Sequence, residues 1–249
     1  MTSTKPTFTL QRVSKFFDVR DTELHAVDNI SLELWDKEFI CVLGPTGSGK
    51  STLLKMMGGV EKPTEGTITL GEEVFTQGIP ANRLSRFGFV FQQDNLLPWR
   101  TVYANLRLPL EVFHRAGDGS RERIFEMLTL VGLQDYDRVY PHELSGGMRQ
   151  RVSLARAMVH DPDILLMDQP LGALDAITRR MLSHELLRIS RATQKICVMV
   201  TNSVDEALLL ANRILVLTRL PGSVARVIEN DIPLEARTDA IIENDRYKQ

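Results

Sequence analysis

Gly44-Pro45-Thr46-Gly47-Ser48-Gly49-Lys50-Ser51 decides how this chain is read. The eight residues fit a phosphate-loop pattern: a glycine, four residues, then Gly-Lys-Ser. Upstream, Phe39-Ile40-Cys41-Val42-Leu43 is an uninterrupted apolar run, as a buried strand would be. Downstream, Thr52-Leu53-Leu54-Lys55-Met56-Met57 reads as the start of a helix. Strand, loop and helix in that order are the context the pattern requires. The glycines let backbone N–H groups close around phosphate oxygens, and the helix N-terminus adds a favourable dipole. Lys50 would reach the β- and γ-phosphates, and the Ser51 hydroxyl would bind Mg²⁺.

The bulk numbers bound the rest. A chain of 249 residues holds one large domain or two small lobes. A net charge of −2 makes no electrostatic case for nucleic acid. Two cysteines exclude a disulfide framework; Cys41 and Cys197 sit in apolar runs and are expected as buried thiols. No apolar stretch approaches the ~20 residues of a membrane span, and Met1-Thr2-Ser3-Thr4-Lys5-Pro6 lacks the apolar core of a signal peptide. The expectation is a soluble, cytosolic chain whose membrane connection comes through a partner.

The first third alternates apolar and polar residues at Thr9–Val13 and Ile30–Leu34, as half-buried antiparallel strands do. Thr67–Leu70 and Phe87–Phe91 are similar. Helices are expected from about residue 100 to 160, one capped by Ser120, with Ile124, Met127, Leu128 and Val131 on one face and Gly132 at its end. Met148, Val152, Ala155 and Val159 form a second apolar stripe, read as core packing. The α/β pattern then returns. Ile164–Met167 is a short strand ending in Asp168, 177–193 a long amphipathic helix, and Ile196–Val200 and Ile214–Leu217 further strands. Ser203, with Glu206 three residues on, predicts a capping box.

Leu144-Ser145-Gly146-Gly147-Met148-Arg149-Gln150 has its own logic. Ser145 would cap a helix whose first N–H groups are unobstructed, because Gly146 and Gly147 follow. Ser-Gly-Gly is also a common turn. Read as an anion site, it gives one chain two phosphate-binding helix starts, far apart in sequence.

Together these motifs resemble the ATP-binding-cassette ATPases over nearly the whole chain. LSGGMRQ is similar to that family's signature sequence, and Ile164–Asp168 to its Walker B strand, whose Asp168 would hold Mg²⁺ through water. Gly172-Ala173-Leu174-Asp175 resembles the D-loop. Gln92 matches the Q-loop glutamine that senses Mg²⁺ and the γ-phosphate. Phe17 sits where the family places a ring that stacks on adenine; Phe16 or neither would be the alternatives. The resemblance implies an α/β fold, a P-loop NTPase with a RecA-like core, an antiparallel β subdomain and an inserted helical subdomain at about 96–160. The ATPase domain would span 1–230, with a charged C-terminal tail at 231–249. It implies ATP and Mg²⁺ as cofactors, the nucleotide being cradled by Gly44, Pro45, Thr46, Gly47, Ser48, Gly49, Lys50, Ser51 and Thr52. It also implies a sandwich of two ATPase subunits, head to tail. Each ATP then lies on one subunit's phosphate loop and touches Ser145, Gly146 and Gly147 of the other, with Asp175 nearby.

A narrower resemblance covers Leu96-Leu97-Pro98-Trp99-Arg100-Thr101-Val102 with Asn105-Leu106, and Asp205-Glu206-Ala207 through Leu215 with Leu220-Pro221-Gly222. It points to ATPases of the nitrate, sulfonate and taurine importers. These work with a transmembrane permease dimer and, indirectly, a periplasmic or lipid-anchored solute-binding protein. The subunit would be cytoplasmic and peripheral on the inner face of the membrane. A soluble, non-transport cassette ATPase is the other class open.

Two positions depart from the family. The glutamate that follows the Walker B aspartate, the general base for the attacking water, is here Gln169. An amide cannot accept that proton at neutral pH but still holds water by hydrogen bonds. The switch histidine after Val-Thr is here Asn202, which donates to a γ-phosphate but carries no charge. Three explanations compete: an engineered, near-isosteric Glu-to-Gln trap, a naturally degenerate site paired with a catalytic partner, or slow but tolerated hydrolysis. The isosteric logic favours the trap for Gln169 and natural variation for Asn202.

Overall fold

The computed structural model describes residues 5–19, 22–233 and 237. It forms two compact units, one from residues up to Leu84 and from Gln194 onward, the other from Ser85 to Thr193.

In the first unit, β1 (Phe8–Val19) and β2 (Thr22–Leu34) run antiparallel, with Phe8 opposite Leu34 and Leu10 opposite Leu32. The apolar alternation read from the sequence is the core face: Phe8, Leu10, Val13, Ile30, Leu32 and Leu34 are all buried. Each such side chain contributes roughly 1.5–3 kcal/mol by leaving water. β3 is Phe39–Leu43, and α1, Lys50–Met57, follows it. β4 (Glu65–Leu70) and β5 (Glu73–Phe75) complete a four-stranded antiparallel sheet in the order β2-β1-β4-β5.

The second unit opens with β6 (Phe87–Val90) and continues through α2 (Val102–Val112), α3 (Ser120–Leu130), α4 (Gly146–Met158), β7 (Ile164–Asp168) and α5 (Ala176–Thr193). β6 and β7 pair in parallel, Phe87 opposite Ile164. α2, α3 and α4 pack on one another through Val102, Leu106, Ile124, Leu128, Val152 and Ala155, all with no exposed surface. The apolar stripes thus mark core, as expected. The stretch 96–160 lies within this unit. Ser120 does not cap α3. Gly119, at φ 87°, holds the N-cap position, and Ser120 is the first helical residue. A glycine supplies the left-handed turn that a serine would adopt only with strain.

Back in the first unit, β8 (Ile196–Val200) and β9 (Arg213–Leu217) flank β3 in parallel, with α6 (Val204–Leu210) between them in sequence. β10 (Val224–Glu229) adds antiparallel to β9. β3 and β8 are buried on both faces, which explains their unbroken apolar composition. Cys41 and Cys197 are buried thiols, neither of them in a disulfide. Of the expected 231–249 tail, the structure describes residues 231–233 and 237; the remainder lies outside the described residues. Among the described residues, no helix is long and apolar enough to cross a membrane.

Candidate functional site

The phosphate loop runs from the end of β3 to the start of α1, as the sequence predicts. Gly49 is the helix N-cap at φ 78°, and Leu53 N to Gly49 O, at 2.8 Å, is the first intrahelical bond. The amides of Lys50, Ser51 and Thr52 therefore precede the intrahelical ladder, at the end of the helix whose dipole favours an anion. A Cβ at Gly49 would lie 2.4 Å from the Ala26 carbonyl oxygen, so only glycine fits there. Lys50 is buried, and its ammonium folds back on the loop, donating to the Gly44 and Pro45 carbonyls at 2.7 and 2.8 Å. Ser48 is buried, and its Oγ has no hydrogen-bond partner among the described residues. A buried cation on two loop carbonyls, an orphaned hydroxyl and a helix N-terminus fit a polyphosphate.

Sequence reasoning missed what supports this loop from behind. Gly222 accepts a bond from Asp28 N at 2.9 Å and donates to Ala26 O at 3.2 Å. A Cβ on Gly222 would lie 2.1 Å from the Ser48 carbonyl oxygen. Leu220-Pro221-Gly222 entered the sequence reading only as part of a resemblance; its physical task is to back the phosphate loop.

Phe17 lies half-buried on β1, and the Lys15 ammonium sits 4.8 Å from its ring centroid. Lys15 is itself paired with Glu61 at 2.7 Å. Phe16 is engaged differently, stacked on His25 with centroids 4.1 Å apart. Asn202 is exposed in the turn between β8 and α6. The expected capping box there is only half formed. Ser203 Oγ accepts from Glu206 N at 3.3 Å, but the Glu206 carboxylate takes the Thr201 hydroxyl as its partner instead.

The remaining candidates lie in the second unit. Ser145 caps α4, its Oγ accepting from Met148 N at 3.2 Å, and the first turn begins at Gly146 and Gly147; α5 approaches here, since a Cβ at Gly147 would lie 2.8 Å from Thr178 Cγ2. Asp168 ends β7 and is buried. Gln169 follows in the left-handed region, at φ 46°, and its carbonyl accepts from Gly172 N at 3.0 Å. A groove brings Gln92, Gly146, Gln150, Pro170 and Ala173 together. Asp175 has a structural task. Its Oδ1 accepts from Thr178 N at 3.0 Å and Ile177 N at 3.1 Å, capping α5, and those bonds, Thr178's first, hold its carboxyl below the usual range. The sequence also gave no warning that α4 grips the segment after Gln92. Arg149 pairs with Asp94 at 3.0 Å, and Arg156 donates to the Asp94 and Asn95 carbonyls, both at 2.8 Å.

Among the described residues no group of three or more His, Cys, Asp or Glu would hold a metal ion by itself. Asp168 by itself offers one buried carboxylate, an oxygen donor of the kind Mg²⁺ takes alongside phosphate and water.

Comparison with known proteins agrees with this geometry. The ABC transporter family model matches residues 27–172, and the chain belongs to that family. It is 38% identical over 227 residues to the aliphatic sulfonates import ATP-binding protein SsuB of Bacillus cereus, covering 91% of this chain and 87% of that one. It is 42% identical over 227 residues to the taurine import ATP-binding protein TauB of Rhizobium johnstonii, covering 89% and 83%. The dimeric structure of MJ0796, a bacterial ABC transporter cassette, superposes with a TM-score of 0.79 at 34% identity, covering 90% of this chain and 98% of that one. The fold is that of an ATP-binding-cassette ATPase, a P-loop NTPase.

Proposed function

We propose that the chain is the ATP-binding motor subunit of a bacterial importer and drives solute uptake through a separate permease. The observation that carries this reading is the pair of glycine-containing helix starts, Gly49–Ser51 and Ser145–Gly147, in a chain similar to SsuB and TauB over about nine-tenths of its length. Lys50 would exchange its two loop carbonyls for the β- and γ-phosphates. Ser51, Gln92 and Asp168 would hold Mg²⁺, which supplies charge neutralisation at the transferred phosphoryl group. Phe17 would stack on adenine; Phe16 already stacks on His25. Asn202 would donate to the γ-phosphate, and Gln169 would position water without taking its proton. Ser145, Gly146 and Gly147 would complete the site of a second ATPase subunit, with Asp175 ordering the adjoining loop.

A second reading, a regulatory ATP-binding subunit paired with a catalytic one, is favoured by Gln169 and Asn202 together, since a trapping change needs only the first. The partners in either reading are a second ATPase chain, a permease dimer and, through the permease, a solute-binding protein. The place of work is the cytoplasmic face of the membrane.

The sandwich is tested by Ser145→Arg. A bulky cation in place of the cap should leave nucleotide affinity of the monomer nearly intact and abolish ATP-dependent dimerisation. Fluorescent-nucleotide titration and sedimentation read the two separately; loss of monomer affinity would make the trans arrangement wrong. The permease is tested by cross-linking. Trp99 is 71% exposed, and the native thiols are buried, so Trp99→Cys or Arg100→Cys gives a clean handle. In cells expressing the whole operon the cross-linked partner should be a polytopic membrane protein. Capture of cytosolic proteins alone would favour the non-transport class.

A further inference from the structure

α6 is seven residues long, too short to keep its place by helix propensity alone. Its last carbonyls would be orphaned in a buried setting without outside donors. Those donors come from beyond β10. Asn230 Nδ2 donates to the Leu208 and Ala211 carbonyls at 2.9 and 2.8 Å, and its backbone N donates to Asn212 O at 2.8 Å. Arg237, itself buried, donates from Nη1 to Leu210 O at 3.2 Å and from Nε to Ile232 O at 3.0 Å.

The other end of α6 carries a second set of bonds. The buried Thr201 hydroxyl donates to Glu206 and accepts from Ser203 N at 3.1 Å, while Thr201 N donates to Val42 O at 3.2 Å. This ties the turn to α6 on one side and to β3, the strand that feeds the phosphate loop, on the other. Exposed Asn202 lies between the two anchored residues. Arg237 and Glu206 both act on the same buried thiol. Burial, then Glu206 and Cys197, push Cys41 up, and Arg237 opposes them.

We infer that Arg237 is a positioning residue for recognition of a nucleoside triphosphate's terminal phosphate: by capping α6 from its C-terminal end, it fixes the turn that presents Asn202. The inference rests on the reading of Asn202 as a γ-phosphate donor. Removing the guanidinium strands two buried carbonyls, Leu210 and Ile232. α6 then loosens from its C-terminus, and the Glu206–Thr201–Ser203 bonds lose the register that aims Asn202. The path reaches β3 behind the phosphate loop through Thr201 N and Val42 O, but none of its named bonds is made to residues 44–51 themselves, so nucleotide lacking the terminal phosphate should be far less sensitive to it.

The test measures affinity of the full chain for Mg-ATP and Mg-ADP by calorimetry. Arg237→Met should weaken ATP about tenfold and leave ADP within about twofold, the signature of one lost hydrogen bond to a charged group. Arg237→Lys, which still reaches one carbonyl, should recover most of the loss. Equal weakening of both nucleotides, no weakening of either, or a Lys variant no better than Met would each overturn the inference. Asn202→Ala should weaken ATP selectively, and adding Arg237→Met to it should cost nothing further, because residues acting through one contact are not additive. A further loss in the double variant would mean a different route and overturn the inference. If Asn202→Ala is selective and Arg237→Met is not, only the inference fails. If Asn202→Ala leaves the ATP-to-ADP ratio unmoved, the reading of Asn202 fails and the inference with it.

Discussion

Gln169→Glu raises ATP hydrolysis by the assembled transporter about 10²–10⁴-fold, the usual contribution of a positioned general base. The geometry for it is present. Asp168 ends a fully buried strand, and the next residue leaves that strand at φ 46° with its carbonyl tied to Gly172. The backbone at 169 is thus held through its own carbonyl by Gly172 N. Exchanging amide for carboxylate changes chemistry and leaves shape alone. Phosphate release under saturating Mg-ATP is the measurement, with the lifetime of the ATP-bound dimer as a companion. The lifetime should shorten as the rate rises. Adding Asn202→His raises the rate further only if the missing imidazole is a second defect. A rate unmoved by glutamate, with ATP still bound, would hand the explanation to the degenerate-site reading and a catalytic partner subunit.

Lys50→Ala abolishes measurable ATP binding, a loss of at least about 10²-fold. In the proposed site one buried ammonium would make both contacts to the outer phosphates, and bonds to charged groups contribute about 1.5–3 kcal/mol each. This ammonium donates to Gly44 O and Pro45 O at 2.7 and 2.8 Å. Its removal therefore also strands two carbonyls, and the loop should lose order as well as charge. Calorimetry with Mg-ATP reads the affinity, and far-UV circular dichroism confirms that the fold persists. A loss smaller than tenfold would move the nucleotide away from this loop.

What the sequence disclosed and what it concealed divide by range. The phosphate loop, the Ser145 cap and the run into Asp168 are local: a strand, a turn residue and a helix start lie within a dozen positions, so composition and spacing reveal them. The same is true of the core stripes on α3 and α4. The concealed parts depend on residues far apart in the chain. Arg213 pairs with Glu38 across more than 170 positions, and Asn212 Oδ1 accepts from Phe39 N at 2.8 Å. Gly222 backs a loop formed by residues 44–51, and Arg237 caps a helix that ends at Leu210. A lone arginine or glycine carries no local pattern that announces such a partner. Phe16 and Phe17 are alike in sequence, and only the fold shows that Phe16 stacks on His25, a ring nine positions further on. The cap of α3 was misplaced by one residue because a serine and a glycine are both plausible there, and only the backbone angle separates them.

The placement of β3 bears on how the chain is made. Its two parallel neighbours, Ile196–Val200 and Arg213–Leu217, lie more than 150 residues further along the chain. At ribosomal speeds of about 5–20 residues per second, their synthesis trails that of β3 by about eight to thirty-five seconds. The antiparallel sheet draws all its strands from residues 8–75 and closes as it emerges. The unit of residues 85–193 is also complete before β8 exists. The strand that carries the nucleotide loop waits through all of this with both edges open, and long-range parallel pairing is intrinsically slow to form. The phosphate loop is thus among the first parts of the protein to be translated and among the last to acquire its fold.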